Sequence, residues 1–453
     1  MSEKIKNFSE KISGKRVAVI GIGVSNKPLI HFLQRFGASV VAYDKKSREE
    51  LGDIYTELEK NGVDFVLGDG YLDNISEDII FKTPGMRYDI EPLAKKRKEG
   101  AWITSEMEVF FDLCPAKIIA ITGSDGKTTT TTLIHRFLKE SGIKTRLGGN
   151  IGRPLIDEVD EITDDEWMVL ELSSFQLHTM KKSPDIAVVT NITPNHLDFH
   201  TDYKEYIDAK KNIMLHQGNN GLLIINEGNE ETQRLRSEAK GKVRSFSAYT
   251  DADFSLCGND IMYKGEKLLD IRDIKIPGMH NVENYMTAMA AVYDIADKNV
   301  FSRVAKEFGG VEHRIELVRI LDGVKYYNSS IDSSPNRSLN TLKVFDDNVV
   351  MIAGGKDKGI PYDEIGPSVC EHVKVLILIG MTADKIEEAV KKCDKEKKVK
   401  IIRANEYPEA VKIAKENAVA GDVVILSPAS TSFDMFRNFE ERGNLYKKLV
   451  NEL

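Results

Sequence analysis

At 453 residues the chain is too long for one ordinary core, and at roughly 150 residues per domain it divides into about three. Hydrophobic residues at 41% and charged residues at 30% exclude a disordered chain. The net charge of −8, from 63 basic and 71 acidic residues, excludes a global field that recruits nucleic acid or an anionic membrane.

In chain order, the N-terminus MSEKIKNFSEKISGKR is polar and mixed in charge, without the apolar stretch of a signal peptide. Arg16–Ile20 predicts a strand, Gly21-Ile22-Gly23 a turn, and Leu29, Ile30, Leu33 and Phe36 a helix face. Ala38–Tyr43 predicts the next strand. The turn lacks the third glycine of a dinucleotide fingerprint, but Asp44 ends that strand, where an acid accepts ribose hydroxyls. A boundary is expected near Ile103–Phe110.

The second segment opens with the strand Lys117–Ile121, followed by Thr122-Gly123-Ser124-Asp125-Gly126-Lys127-Thr128-Thr129. A strand that enters a glycine turn and then a helix leaves backbone N–H groups at the positive end of the helix dipole. A phosphate chain fits there, with Lys127 on its terminal groups and the Thr128 hydroxyl on Mg²⁺. The loop is shorter than the common GxxxxGK[ST]. Met168–Leu172 and Ala187–Asn191 predict buried strands, and each ends in polar groups: Glu171 on the first, His196 and Asp198 after the second. Glu171 stands where an acid completes an Mg-ATP site. Ile276–Ala291 runs from a loop into a helix.

The third segment begins near His313 and contains the strands Val349–Ala353, Val375–Ile379, Lys400–Arg403 and Val423–Leu426. Gly354–Gly359 and Ser427–Asp434 follow two of them and place hydroxyls, donors and lysines where a carboxylate binds. The longest apolar runs have strand length, far short of a membrane span. Cys114, Cys257, Cys370 and Cys393 show no CxxC spacing, so free thiols in a reducing cytoplasm are expected. Strands alternating with helical patterns imply parallel sheets covered by helices throughout, an α/β architecture.

The shortened loop, Gly149-Asn150-Ile151-Gly152, Glu171–Leu177, Asn191–Asp198, Gly278–Asn284, His313-Arg314 and Gly354–Lys358 stand in one order that resembles the Mur ligase family over nearly the whole chain. The resemblance implies three domains: a Rossmann-like UDP-sugar-binding domain at 1–105, a central P-loop ATPase-type parallel-sheet domain at 106–311, and a Rossmann-like amino-acid-binding domain at 312–453. It implies a cytoplasmic, monomeric, ATP-dependent amide ligase of peptidoglycan synthesis, with two Mg²⁺ sites and an acyl-phosphate intermediate. The Gly21 turn, Ser173–Leu177 and Ser427–Phe439 are similar to members that add D-glutamate to UDP-N-acetylmuramoyl-L-alanine.

Carried over by resemblance, Gly123, Ser124, Asp125, Gly126, Lys127, Thr128, Thr129, Asn281, Asn284 and Arg314 bind ATP. Thr128, Glu171 and His196 bind metal, and Lys210 is the lysine that the family carbamylates, which with Lys127 and His196 makes the catalytic set. Val24, Ser25, Asp44 and Asn150 face the UDP-sugar, and Ser333, Lys358, Ser432 and Phe439 the amino acid. Asn328–Pro335 departs from the family pattern by lacking a lysine and an aspartate of it, although Asp332 and Ser333 substitute in part. The alternatives are addition of L-glutamate, a folate-type acceptor, or a non-catalytic ATP-binding regulator. Glu171, His196 and Lys210 together speak against the regulator, which needs no second metal site.

Overall fold

The computed structural model describes all residues except Met1, Val24, Leu197, Asp198, Asp347, Lys358 and Lys397. The chain forms two compact units, one of residues Met1–Asp270 and Val282–Ser302, the other of Ile271–Asn281 and Arg303–Leu453.

The first unit holds two sheets. Strands β1 (Arg16–Ile20), β2 (Ser39–Asp44), β3 (Asp64–Leu67), β4 (Ile79–Lys82) and β5 (Trp102–Thr104) pair in parallel in the order β3-β2-β1-β4-β5. Four of the five β1 residues are fully buried, as expected of a central strand covered on both faces. The second sheet comprises β6 (Lys117–Thr122), β7 (Thr145–Gly149), β8 (Trp167–Glu171), β9 (Ile186–Val189), β10 (Leu222–Asn226), β11 (Lys242–Ser247), β12 (Phe254–Cys257), β13 (Asp260–Tyr263) and β14 (Glu266–Asp270). Its order is β14-β13-β12-β11-β10-β9-β6-β8-β7. The pairs from β7 to β12 are parallel, and β12-β13-β14 is an antiparallel addition at one edge.

This order puts β6 between β8 and β9, so three strand C-termini open on one place: Thr122 aligns with Val189, and Ile121 with Glu171. Ligands of open α/β sheets bind at such ends. The sheets and the helices that cover them share a continuous core, in which Phe81 of β4 and Phe8 and Leu33 of the covering helices join Ile118 of β6 and the helical residues Met107 and Ile156.

The second unit is built on β15 (Glu316–Leu321), β16 (Val324–Asn328), β17 (Val349–Ala353), β18 (Val373–Leu378), β19 (Lys400–Arg403) and β20 (Val423–Leu426). Their order is β15-β16-β20-β17-β18-β19, parallel except for the β15-β16 hairpin. Strand β17 is buried along its whole length.

Candidate functional site

The loop after β6 is shaped by two glycines that no other residue replaces. Gly123 has φ +150° and Gly126 φ +76°, and a Cβ on either would overlap a side-chain oxygen, Thr190 Oγ1 or Asn284 Oδ1. The loop is fastened from the β9 side. Ser124 N donates to Asn191 O (2.9 Å), Asp125 N to Asn191 Oδ1 (2.9 Å), and Thr190 Oγ1 to Asp125 O (2.5 Å). Gly126 N-caps the helix Lys127–Glu140 without any side-chain cap. The positive end of that helix is therefore not satisfied by a capping side chain and suits an anion. Lys127 folds over its own loop, donating from Nζ to Gly123 O (2.9 Å) and Ser124 O (2.8 Å), and Thr128 is buried beside it.

Glu171, at the end of β8, is 2% exposed. Asn150 holds one of its oxygens, Nδ2 to Oε1 at 2.9 Å, and the backbone of the same asparagine donates to Glu171 O. Gly149 makes this approach possible, since a Cβ there would overlap Glu171 O. The second oxygen, Oε2, is buried without a hydrogen-bond partner. An orphaned carboxylate oxygen beside a phosphate loop fits a divalent cation, the hard acid that carboxylates prefer.

Lys210 comes from the helix Tyr203–Leu215, which Asp202 N-caps. Tyr206, Ala209, Lys210, Ile213 and Met214 form its buried face, so the lysine points inward at 2% exposure. Its Nζ donates to Gly123 O (2.7 Å) and Thr122 Oγ1 (3.3 Å) and lies 4.7 Å from the centre of the Tyr206 ring. Burial drives its ammonium well below the ordinary lysine range, and the neighbouring Lys127 charge pushes the same way. Tyr206 meets the loop directly, its OH 2.9 Å from Ser124 Oγ. His196 is exposed in the left-handed region at φ +54°, edge-on to Phe175 with ring centres 5.0 Å apart.

The first sheet carries a separate cleft of about 570 Å³, lined by Gly21, Asp44, Lys46, Thr83, Arg87 and Phe199 among others. Asp44 is buried, and both its oxygens accept backbone N–H groups: Ile22 on Oδ2 (2.7 Å) and Lys46 on Oδ1 (3.0 Å). Ser25 N-caps the helix Asn26–Arg35; Val24 lies outside the described residues. Arg87 ties this cleft to the His196 loop. It forks onto Glu205 (2.9 Å from each nitrogen), donates to Phe199 O (3.0 Å) and pairs with Asp89. Glu205 in turn receives Thr201 N and lies 3.2 Å from His178 and 3.6 Å from His200. The ligand atoms of His178, His200 and Glu205 fall within 4.8 Å of one another. Arg87 already covers both Glu205 oxygens, however, and holds its carboxyl far below the usual range, which makes the group a charge network rather than a cation site.

In the second unit Gly354 and Gly355 let the loop after β17 pass under Ile379 and Thr431, where a Cβ on either would overlap a carbonyl oxygen. Arg442, fully buried, braces this end with bonds to Ser330 Oγ (3.0 Å), Ser330 O (2.8 Å) and Ser430 O (3.0 Å). Asp332 is buried and receives Ser427 Oγ (2.8 Å), so it belongs to that frame. Ser432 is buried, Ser333 half-buried, and Phe439 opens the last helix edge-on to His313. Asn281 donates to Pro277 O (2.6 Å), and Arg314 N to Val311 O. Lys358 and Asp198 lie outside the described residues.

The structure thus gathers Gly123–Thr129, Asn150, Glu171, Lys210 and Asn284 around one loop. Sequence reasoning missed Tyr206, Arg87, Glu205 and Arg442. Only Tyr206 carried a signal, standing one helical turn before Lys210 on the same face.

A phosphate loop, an orphaned acid and a buried lysine at three adjoining strand ends define a nucleotide-binding α/β protein of the phosphate-loop class. Residues 121–292 match the Mur ligase middle domain and residues 313–430 the Mur ligase glutamate ligase domain. Over the whole of both chains, the protein is 52% identical to a UDP-N-acetylmuramoylalanine–D-glutamate ligase of Ruminiclostridium cellulolyticum and 51% identical to one of Clostridium botulinum. The fold is similar to a UDP-N-acetylmuramate–alanine ligase from Thermotoga maritima, with TM-score 0.58 and 17% identity over 97% of this chain and 99% of that one. The chain belongs to the Mur ligase family, whose members use ATP and Mg²⁺.

Proposed function

We propose that this protein joins D-glutamate to UDP-N-acetylmuramoyl-L-alanine, with hydrolysis of ATP to ADP and phosphate, in peptidoglycan precursor synthesis. Full-length identity of 52% to a ligase of that name supports the reading. The single observation that carries the chemistry is Lys127 at the mouth of the glycine loop, beside the buried Lys210 and the orphaned Glu171 oxygen.

In this reading residues 1–105 bind the UDP-sugar, 106–311 bind ATP and 312–453 bind the amino acid. The protein acts as a cytoplasmic monomer; no helix among the described residues is long and apolar enough to cross a membrane. A carboxylate and an ammonium do not condense in water, so the alanyl carboxylate must first be activated. Its oxygen attacks the γ-phosphorus, ADP leaves, and an acyl phosphate forms. The neutral amine of D-glutamate then attacks the acyl carbon, loses a proton, and phosphate departs.

Lys127 and the loop N–H groups hold the transferring charge, and Asn281, Asn284 and Arg314 hold the nucleotide. Thr128 and Glu171 would hold one Mg²⁺ and His196 a second, and the ions would neutralise charge on the phosphates. Asp44, Ser25 and Asn150 position the UDP-sugar, and Ser333, Ser432 and Phe439 the amino acid. Lys210 acts as a carbamate. Only a neutral amine adds CO₂, releasing one proton, and the burial that lowers the Lys210 ammonium supplies that amine. The product carries a negative charge and turns the repulsion from Lys127 into attraction.

An acceptor panel with ADP release as readout tests the reading. ADP should appear only with UDP-N-acetylmuramoyl-L-alanine and D-glutamate present together. Equal rates with L-glutamate, or turnover with a folate acceptor, would overturn it.

A further inference from the structure

The loop Thr83–Ile90 has the 570 Å³ cleft on one side and a second cavity, of about 740 Å³, on the other. The second cavity is bounded by the end of β4, the edge strand β5, the helix Glu106–Leu113 and residues 178–182. Its volume is that of a small-molecule site, and none of its lining residues has a role in the reaction above.

We propose that this cavity binds an organic anion carrying a planar ring, with the anionic group on Lys82 and the ring against Trp102. Lys82 is 3% exposed, and its Nζ makes one hydrogen bond, to Met86 O at 3.2 Å. No ion pair reaches it among the described residues. An ammonium has three donors, so two have no protein acceptor. Burial pushes this amine down to about 8, with Glu108 only partly opposing the shift. A buried cation in that state is stabilised by an anion that enters beside it.

The two acids in the wall do not fill this role. Asp112 is paired with Lys182, and Glu108 receives Ser105 Oγ (2.9 Å) while burial raises its carboxyl toward the neutral form. The side chain of Lys181 on the rim has no hydrogen bond or ion pair among the described residues, which leaves a cation at the mouth. The apolar part is preset: Trp102 is fixed by Lys11 over its ring (3.0 Å to the centre) and by edge contacts with Phe8 and Phe81, and Phe111 and Met180 complete the wall. A flat ring against a rigid indole binds at low entropic cost.

The chain has two tryptophans, Trp102 and Trp167, so Trp167→Phe makes Trp102 the sole reporter. In that protein, adenosine 5′-monophosphate and benzoate, titrated separately, distinguish a phosphate source from a carboxylate source. We expect saturable quenching by at least one, with a Kd below about 1 mM. Lys82→Met should weaken it at least tenfold, whereas Asp44→Asn, in the other cleft, should leave it unchanged. If Lys82→Met fails to fold, the exposed Lys181→Glu takes its place and should weaken binding about threefold to fivefold, the scale of an exposed charge. Absence of saturable quenching by both probes, or equal affinity after the lysine substitution, would overturn the proposal.

Discussion

Two strand–turn–helix units of this protein share a backbone and differ in what fills it. After β1, Gly21 turns at φ +85° into the helix Asn26–Arg35; after β6, Gly123 and Gly126 turn into Lys127–Glu140. The first turn is built around an acid, because Asp44 takes the N–H groups of Ile22 and Lys46. The second is built around two lysines, because Lys127 and Lys210 both donate to Gly123 O. A fixed carboxylate repels phosphate and accepts from hydroxyls, whereas the Lys127 ammonium attracts phosphate. In the proposed reading the same glycine signature therefore serves hydroxyls at the first turn and phosphates at the second, and the charge beside the turn sets the difference.

Lys127→Ala breaks the comparison most severely. The fold should survive, since the side chain sits at the loop and bonds its carbonyls, Gly123 O and Ser124 O, but turnover should fall about 10²–10³-fold. Near-normal ADP release by a folded variant would show that the second turn does not carry the phosphates. Lys210→Ala should be nearly inactive, with kcat down about 10²-fold or more, the scale of a lost electrostatic group. A short carboxylic acid added in solution should recover part of the rate by filling the vacated anion position; absence of rescue would rule out the carbamate.

Asp44→Asn sharpens the other half. The amide keeps the shape but accepts with one oxygen only, so the KM for the UDP-sugar should rise about tenfold, as expected for a lost charged hydrogen bond, with the KM for ATP unchanged. Equal changes in both would mean that the acid serves the fold alone.

The smallest effect concerns Glu106, in the helix that leads from the first sheet to the second. Its carboxyl is fully buried, one oxygen lacks a partner, and burial raises it to about 8. Between the ordinary value of 4.5 and about 8 the folded chain keeps a proton that the unfolded chain releases. Stability is therefore lost as pH rises through that window. Glu106→Gln should flatten the fall in Tm between pH 5 and 8 by a few degrees; parallel curves would contradict the burial account.

The phosphate loop was legible in the sequence because its determinants are contiguous: an apolar strand, two glycines and a lysine in one short stretch. The alternation of strands and helices was legible for the same reason, and the antiparallel edge β12-β13-β14 was not, since short polar strands carry little periodicity. Lys210 shows the limit of local pattern. Taken alone it is a solvated helix lysine, and only the packing of the Tyr203–Leu215 helix under the loop buries it. Arg87 and Glu205 lie 118 residues apart, and Arg442 and Ser330 lie 112 apart, so neither pair leaves a local trace. The bond between Asp332 and Ser427, which lie far apart in sequence inside the second unit, likewise leaves no local trace.

The path of one oxygen atom tests the chemistry most directly. With ¹⁸O in the alanyl carboxylate of UDP-N-acetylmuramoyl-L-alanine, phosphorylation of that carboxylate followed by amine attack must carry one labelled oxygen into the released phosphate and none into ADP. Mass spectrometry of the phosphate should show one ¹⁸O per turnover. Unlabelled phosphate alongside labelled amide product would contradict activation of the carboxylate at the Lys127 loop.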